Sequence, residues 1–189
     1  MFHFIKPALP IIIIWVGLKI TGQLGNVISF GQSAVLKTGV LNAGTELEAD
    51  EQFNYNFNAV SLAGKPLLMD SLKNHVVFLN VWATWCGPCR AEMPTIQNLY
   101  DQVNNSRVVF IILSVDRNAE KKVMDYVAKN RFTFPVYILR GEPTEQLRVP
   151  VIPTTFVVSK KGRILRTEAG MRNYDTGKFR KFLLREARQ

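Results

Sequence analysis

The chain has 189 residues, of which 47% are apolar and 21% charged; that is enough for one ordinary domain plus an appendage, and it excludes a disordered or fibrous protein. The net charge of +9 is uneven: residues 1–43 hold Lys6, Lys19 and Lys37 and no acid, and the basic residues near the C-terminus (Arg172, Lys178, Arg180, Lys181, Arg185, Arg188) accompany no nucleic-acid motif. They read as a solvated basic face, not a nucleic-acid interface.

Pro7 to Leu18 is an uncharged run of twelve residues between Lys6 and Lys19, with Ile11-Ile12-Ile13-Ile14-Trp15-Val16 at its centre. This is short of the roughly twenty residues that span hydrocarbon. A helix over about residues 9–30 would cross if Lys19 snorkels. Three readings stand: an uncleaved anchor, which is favoured; a cleaved signal peptide, which the lack of a clear small-x-small site counts against; and an interfacial or packed helix. Pro10 and Gly17 interrupt all three. The organisation expected is an anchor or signal segment over 1–36, a linker over 37–52 and a globular domain over 53–189.

Within that domain, Tyr55 to Leu62 alternates apolar and polar residues, Ala63-Gly64-Lys65 is a turn, and Pro66 to Met69 is a return arm, so a β-hairpin is expected. Val76 to Trp82 is apolar almost throughout, as a central strand covered on both faces must be. A helix with the stripe Cys89, Met93, Ile96, Tyr100 and Val103 follows. Pro94 inside it should kink it. Next come a strand over Arg107–Val115, a helix over Ala119–Asn130, a strand over Phe134–Leu139 and a short helix over Pro143–Arg148. Two strands, Thr154–Ser159 and Arg163–Glu168, flank the turn Lys160-Lys161-Gly162. Asp175 is placed to cap a last helix with Phe179, Phe182 and Leu183 inward. Crossover helices imply parallel strands and the late turn implies antiparallel ones, so the fold class is α/β, a mixed sheet with helices on both faces.

Only two cysteines occur, Cys86 and Cys89. A disulfide framework needs more of them, and so small a loop barely restricts the unfolded chain. Reactivity explains the pair better. Lying between a buried strand and a helix, Cys86 falls at the helix N-terminus, where free amides and the dipole favour a thiolate. Cys89, one turn in, is less exposed and close enough to resolve a mixed disulfide at Cys86. Pro88 suits the first turn. Zinc would need about four ligands, and His3 and His75 are not at ligand spacing. No metal and no cofactor is expected.

The stretch Val81-Trp82-Ala83-Thr84-Trp85-Cys86-Gly87-Pro88-Cys89-Arg90-Ala91-Glu92-Met93-Pro94 resembles the active site of the thioredoxin superfamily, and in particular its TlpA/ResA branch of extracytoplasmic, membrane-anchored thiol–disulfide oxidoreductases. The resemblance covers about residues 50–189 and includes the hairpin, Ser114-Val115-Asp116 and Val151-Ile152-Pro153-Thr154-Thr155-Phe156. It implies a thioredoxin-like fold with an N-terminal hairpin extension. It implies catalytic roles for Cys86, Cys89 and Glu92, the last a buried acid or else an ordinary first-turn glutamate. It implies a substrate-binding surface of Trp85, Gly87, Pro88, Ile152 and a cis Pro153. Ordinary cytoplasmic thioredoxins carry an Asp where this chain has Asn80, which cannot act as a base; Glu92 or water then moves the proton.

The expected activity is reduction of disulfides in envelope proteins, such as cytochrome c maturation substrates. The expected partners are a protein disulfide substrate, a membrane electron donor and the membrane itself through the N-terminal segment, with no nucleic acid. The expected location is the bacterial inner membrane, with the domain facing the periplasm. A disulfide-donating oxidase and a non-catalytic binding module on the same fold remain as alternatives.

Overall fold

The computed structural model describes residues 31–32, 34–36, 38–45, 51–103 and 107–189. The anchor or signal segment expected over 1–36 therefore lies, for residues 1–30, outside the described residues. Among the described residues no helix is long and apolar enough to cross a membrane.

The elements in chain order are β1 (Asn58–Ser61), β2 (Val76–Trp82), α1 (Gly87–Val103), β3 (Val108–Ser114), α2 (Glu120–Lys129), β4 (Val136–Arg140), β5 (Thr154–Val158), β6 (Ile164–Ala169) and α3 (Gly177–Glu186). They form one mixed sheet of order β1-β4-β3-β2-β5-β6. The crossovers through α1 and α2 make β2, β3 and β4 parallel, while β5 runs antiparallel to β2 and β6 antiparallel to β5. The β5–β6 turn closes at Gly162, whose φ of +81° suits glycine.

The apolar run of β2 is buried at every position, and its alternation feeds two cores. Phe78 and Trp82 face one side with Phe110 and Ile112, where α1, α2 and α3 contribute Met93, Val123 and Phe179. Val77, Leu79 and Val81 face the other, with Phe53, Phe57, Leu72 and Leu147. α1, α2 and α3 thus share the first layer. Among the described residues, 3-10 turns at Met69–Leu72 and Glu145–Leu147 contribute to the second. The latter is what forms in the segment Pro143–Arg148.

The N-terminal hairpin is short. Val60 bridges Pro66, and Ser61 N and Leu67 N donate to Lys65 O and Ala59 O. Its first arm, β1, is also the edge strand of the main sheet, paired antiparallel with β4. One expected cap is corrected. The side chain of Thr176, not Asp175, accepts the Phe179 amide at 3.1 Å at the start of α3. Asp175 instead accepts Asn98 Nδ2 at 2.9 Å from α1. α1 runs through Pro94 to Val103, because packing on one apolar face outweighs one missing amide.

Candidate active site

β2 ends at Trp82 and α1 begins at Gly87, so a four-residue loop carries Cys86 to the helix cap. Asp116, just beyond β3, holds this loop. Its Oδ2 accepts the Thr84 amide at 2.8 Å, and its Oδ1 accepts the Thr84 hydroxyl at 2.7 Å. Ser114 Oγ donates to Oδ2 at 2.9 Å. The loop is thereby tied to the end of the neighbouring strand by buried hydrogen bonds.

Cys86 occupies the N-cap. Its carbonyl accepts the Arg90 amide at 3.1 Å, the first bond of the helix, and its Sγ accepts the Cys89 amide, also at 3.1 Å. The sulfur takes the place of a serine or aspartate oxygen in an ordinary cap. An N–H aimed at it stabilises negative charge there. Cys86 and Cys89 form a disulfide with Cα atoms 5.3 Å apart. Cys86 is 5% exposed and Cys89 is fully buried, so a partner sulfur reaches the first and not the second.

Pro153 is cis, as the resemblance implied. Ile152 O lies 3.6 Å from Cys86 Sγ, which brings two distant segments together over the disulfide. Trp85 is 65% exposed beside Cys86. With Ile152 it lines a cleft of about 640 Å³ that extends along Val115, Arg117 and Val149 to Val151. Gly87 and Pro88 are partly exposed in the first turn.

Glu92 lies one turn beyond Cys89 and is completely buried. Oε1 accepts Asn80 Nδ2 at 2.8 Å and Oε2 accepts the Arg172 amide at 3.0 Å. Asn80 Nδ2 also donates to Thr155 Oγ1 at 2.9 Å, and Tyr174 OH donates to that hydroxyl at 2.7 Å. Burial pushes the Glu92 carboxyl up to about 8; the Arg172 amide, Asn80 and the Arg172 charge oppose it without prevailing. Burial, and then the charge of Glu92, hold Tyr174 well above the usual phenol range. At Glu168 burial acts upward but is outweighed by hydrogen bonds from Arg166, the Gly44 amide and Arg172, so its carboxyl lies below its ordinary value.

The structure therefore assembles all eight sequence-predicted site residues at one end of β2 and β5. It adds Asp116, Thr155, Arg172 and Tyr174. Asp116 and Thr155 lie within the motifs that carry the resemblance, where a polar residue closing or opening an apolar strand was the available sign. Arg172 and Tyr174 arrive from a loop some eighty residues beyond Glu92 in sequence, and no local pattern marks them. Among the described residues no group of three or more His, Cys, Asp or Glu is placed to hold a metal ion.

The sequence profile of the Redoxin family matches residues 47–181. The chain is 36% identical over 111 residues to a thiol-disulfide oxidoreductase ResA of Bacillus cereus, a span of 58% of this chain and 64% of that protein. It is 30% identical over 101 residues to sporulation thiol-disulfide oxidoreductase A of Bacillus subtilis, covering 52% of this chain and 61% of the relative. The chain thus matches less than two thirds of the length of these curated relatives. Among solved structures, StoA from Bacillus subtilis superimposes with a TM-score of 0.57 at 25% identity, over 67% of this chain and 94% of StoA. A thiol:disulfide interchange protein of the thioredoxin family from Chlorobium tepidum TLS gives 0.57 at 23% identity, over 77% and 99%, and supports the thioredoxin-like fold.

Proposed function

The chain belongs to the Redoxin family, and from that premise we propose that it is a thiol–disulfide oxidoreductase that reduces disulfides of envelope proteins, those of cytochrome c maturation among them. One observation carries the reading. A cysteine sulfur at a helix cap, receiving the Cys89 amide, lies 3.6 Å from the carbonyl of Ile152, the residue whose bond to Pro153 is cis. That carbonyl and the cleft beside Trp85 offer an extended peptide a place to pair across the sulfur.

In the reduced protein the Cys86 thiolate attacks one sulfur of the substrate disulfide. A Cys86–substrate bond forms, the substrate S–S bond breaks, and the first substrate thiolate leaves and takes a proton. Cys89, after losing its proton to the Glu92 carboxylate or to water, attacks Cys86 Sγ. The Cys86–Cys89 bond forms and the second substrate thiol departs, protonated. Two electrons have passed from the cysteine pair to the substrate, with the Cys89 proton and one proton from solvent. Glu92 suits the proton step because a carboxyl near 8 exchanges protons around neutral pH. Re-reduction falls to a membrane electron donor. The domain stands outside the cytoplasm on an N-terminal anchor, a reading supported by the uncharged run Pro7–Leu18 behind Lys6.

Insulin reduction by the reduced protein tests the reading. Wild type should turn over with dithiothreitol and Cys86→Ser should not; equal rates, or none from either, would count against it. The reduction potential tests direction. A value near that of thioredoxin, about −270 mV, supports a reductant, and one near about −120 mV marks an oxidase.

A further inference from the structure

The described residues between 31 and 45 lie along the active-site end of the domain. Leu36 is 1% exposed, and its carbonyl accepts Asn173 Nδ2 at 3.2 Å. Asn173 N donates to Leu41 O at 2.7 Å and Ala43 N donates to Asn173 O at 3.0 Å, which makes a parallel bridge between residues 42 and 173. The Gly44 amide donates to Glu168 Oε1 at 2.7 Å. The approach there is close: a Cβ on Gly44 would stand 2.9 Å from Glu168 Oε1 and closer still to Arg166 Nη2. At the other end, Gln32 Oε1 lies 3.4 Å from where a Gly87 Cβ would be, beside the dipeptide between the cysteines.

These contacts reach Glu92 through one residue. Arg172 Nε donates to Glu168 Oε2 at 2.8 Å, the other oxygen of the carboxylate that Gly44 grips. The Arg172 amide donates to Glu92 Oε2 at 3.0 Å. The next residue, Asn173, is the one whose backbone and side chain hold the segment. A loop without regular structure thus presents an amide to a buried carboxyl, and its two anchor points are both clamped by Leu36, Leu41, Ala43 and Gly44.

We propose that the described residues 31–32, 34–36 and 38–45 form a strap whose seating positions Glu92, through Glu168, Arg172 and Asn173, so that Gly44 and Asn173 are positioning residues for proton transfer at the cysteine pair. The proposal rests on Glu92 being the proton carrier. The groups that face Glu92 are Asn80 from β2 and Arg172 and Tyr174 from the loop after β6; Cys89 lies three residues before it on the same helix, and Glu168 stands behind Arg172. Of these, the Arg172 amide and charge favour the ionised carboxylate. Unseating the strap frees the loop, weakens that support and makes the proton harder to remove. The strap is also the segment that joins the domain to the chain preceding it.

The test is the pH profile, between about pH 6 and 10, for reduction of a chromogenic aromatic disulfide by the full-length protein. Gly44→Val and Leu36→Ala are each made in wild type and in Glu92→Gln. Gly44→Val forces a side chain between Arg166 and Glu168; Leu36→Ala loosens the strap without touching that ion cluster, and gives the same reading if the first variant does not fold. In the wild-type background the limb set by Glu92 should move up by about half a pH unit, a threefold change in proton occupancy. In the Glu92→Gln background neither variant should move the profile further. No shift in the wild-type background overturns the strap, as does an equal shift in both backgrounds. If Glu92→Gln itself leaves the profile as in wild type, the proton role of Glu92 fails and the strap falls with it; if Glu92→Gln moves the profile and the strap variants do not, the strap alone fails.

Discussion

Asn80 Nδ2 donates to Glu92 Oε1 at 2.8 Å, and both side chains are wholly buried. An amide at the centre of the middle strand therefore holds the carboxyl through one oxygen, while the Arg172 amide holds the other at 3.0 Å. Asn80 supplies no proton chemistry of its own. It orients the carboxyl beside it.

Burial of Glu92 makes stability depend on pH. Burial raises Glu92 to about 8 in the fold, against an ordinary value of 4.5. Between those values the folded chain keeps a proton that the unfolded chain has released, so the folded state binds more protons and stability falls as pH rises. The stabilisation is full below 4.5 and lost above 8. At pH 7 the loss from this group is on the order of 3 kcal/mol. Glu92→Gln removes the ionisable group, and Asn80 accommodates it by turning its amide, since Asn80 Oδ1 has no hydrogen-bond partner among the described residues. Urea midpoints measured from about pH 5 to 8.5 should fall more steeply for wild type than for Glu92→Gln. Parallel slopes would exclude a raised Glu92.

Asp116 carries the loop that presents the nucleophile. Its carboxylate accepts three buried hydrogen bonds, two from Thr84 and one from Ser114. Asp116→Ala leaves the Thr84 amide and hydroxyl without partners, at a cost of about 1–3 kcal/mol. Thermal unfolding should show that loss, and disulfide reduction should slow because Trp85 and Cys86 lie on the freed loop. Thr84→Val removes one hydroxyl bond and keeps the amide bond, so its effect should be about 1 kcal/mol. Equal stability of wild type and Asp116→Ala would show that the loop is held by other means.

The parts legible in the sequence are those in which one physical signal acts over a short span. The run Val76–Trp82 announced a central strand because a strand covered on both faces must be apolar throughout, and it is buried at every position. The cysteine pair was legible because strand-to-helix placement puts Cys86 at a cap, and there its sulfur accepts the Cys89 amide. What was not legible depends on long-range placement. Tyr174 and Arg172 are ordinary residues in a loop until the sheet brings them to Thr155 and Glu92. The crossover through α2 puts that helix in the same layer as α1, so the ring of Tyr126 packs on Trp82 at 5.5 Å; no local pattern says which face a crossover covers.

The α3 cap separates two neighbouring residues that look equally suitable. Thr176 Oγ1 accepts the Phe179 amide at 3.1 Å, whereas Asp175 is taken up by Asn98 and Gln102 of α1. Thr176→Ala should destabilise the domain by about 1 kcal/mol, the usual value of a lost cap. Asp175→Ala removes only exposed polar contacts and should stay within about 0.5 kcal/mol of wild type. Denaturant unfolding of the two variants decides it; a larger loss at Asp175 would place the cap there.

Trp85 is the large side chain whose exposure the core does not explain. It is 65% exposed, adjacent to Cys86, and lines the cleft with Val151 and Ile152, although Trp82, three residues earlier, is fully buried. Its removal should therefore cost little stability, within about 0.5 kcal/mol. A buried aromatic truncated to alanine would cost about 3–5 kcal/mol instead. If the cleft receives the polypeptide around a substrate disulfide, Trp85→Ala should raise KM for a protein disulfide several-fold. It should leave the rate with a small aromatic disulfide close to that of wild type, because the sulfur chemistry at Cys86 and the cap bond from Cys89 are untouched. Equal losses with both substrates would mean that Trp85 acts on the cysteine itself. No change with either would remove it from the binding surface and leave Ile152 and the loop before it to hold the substrate.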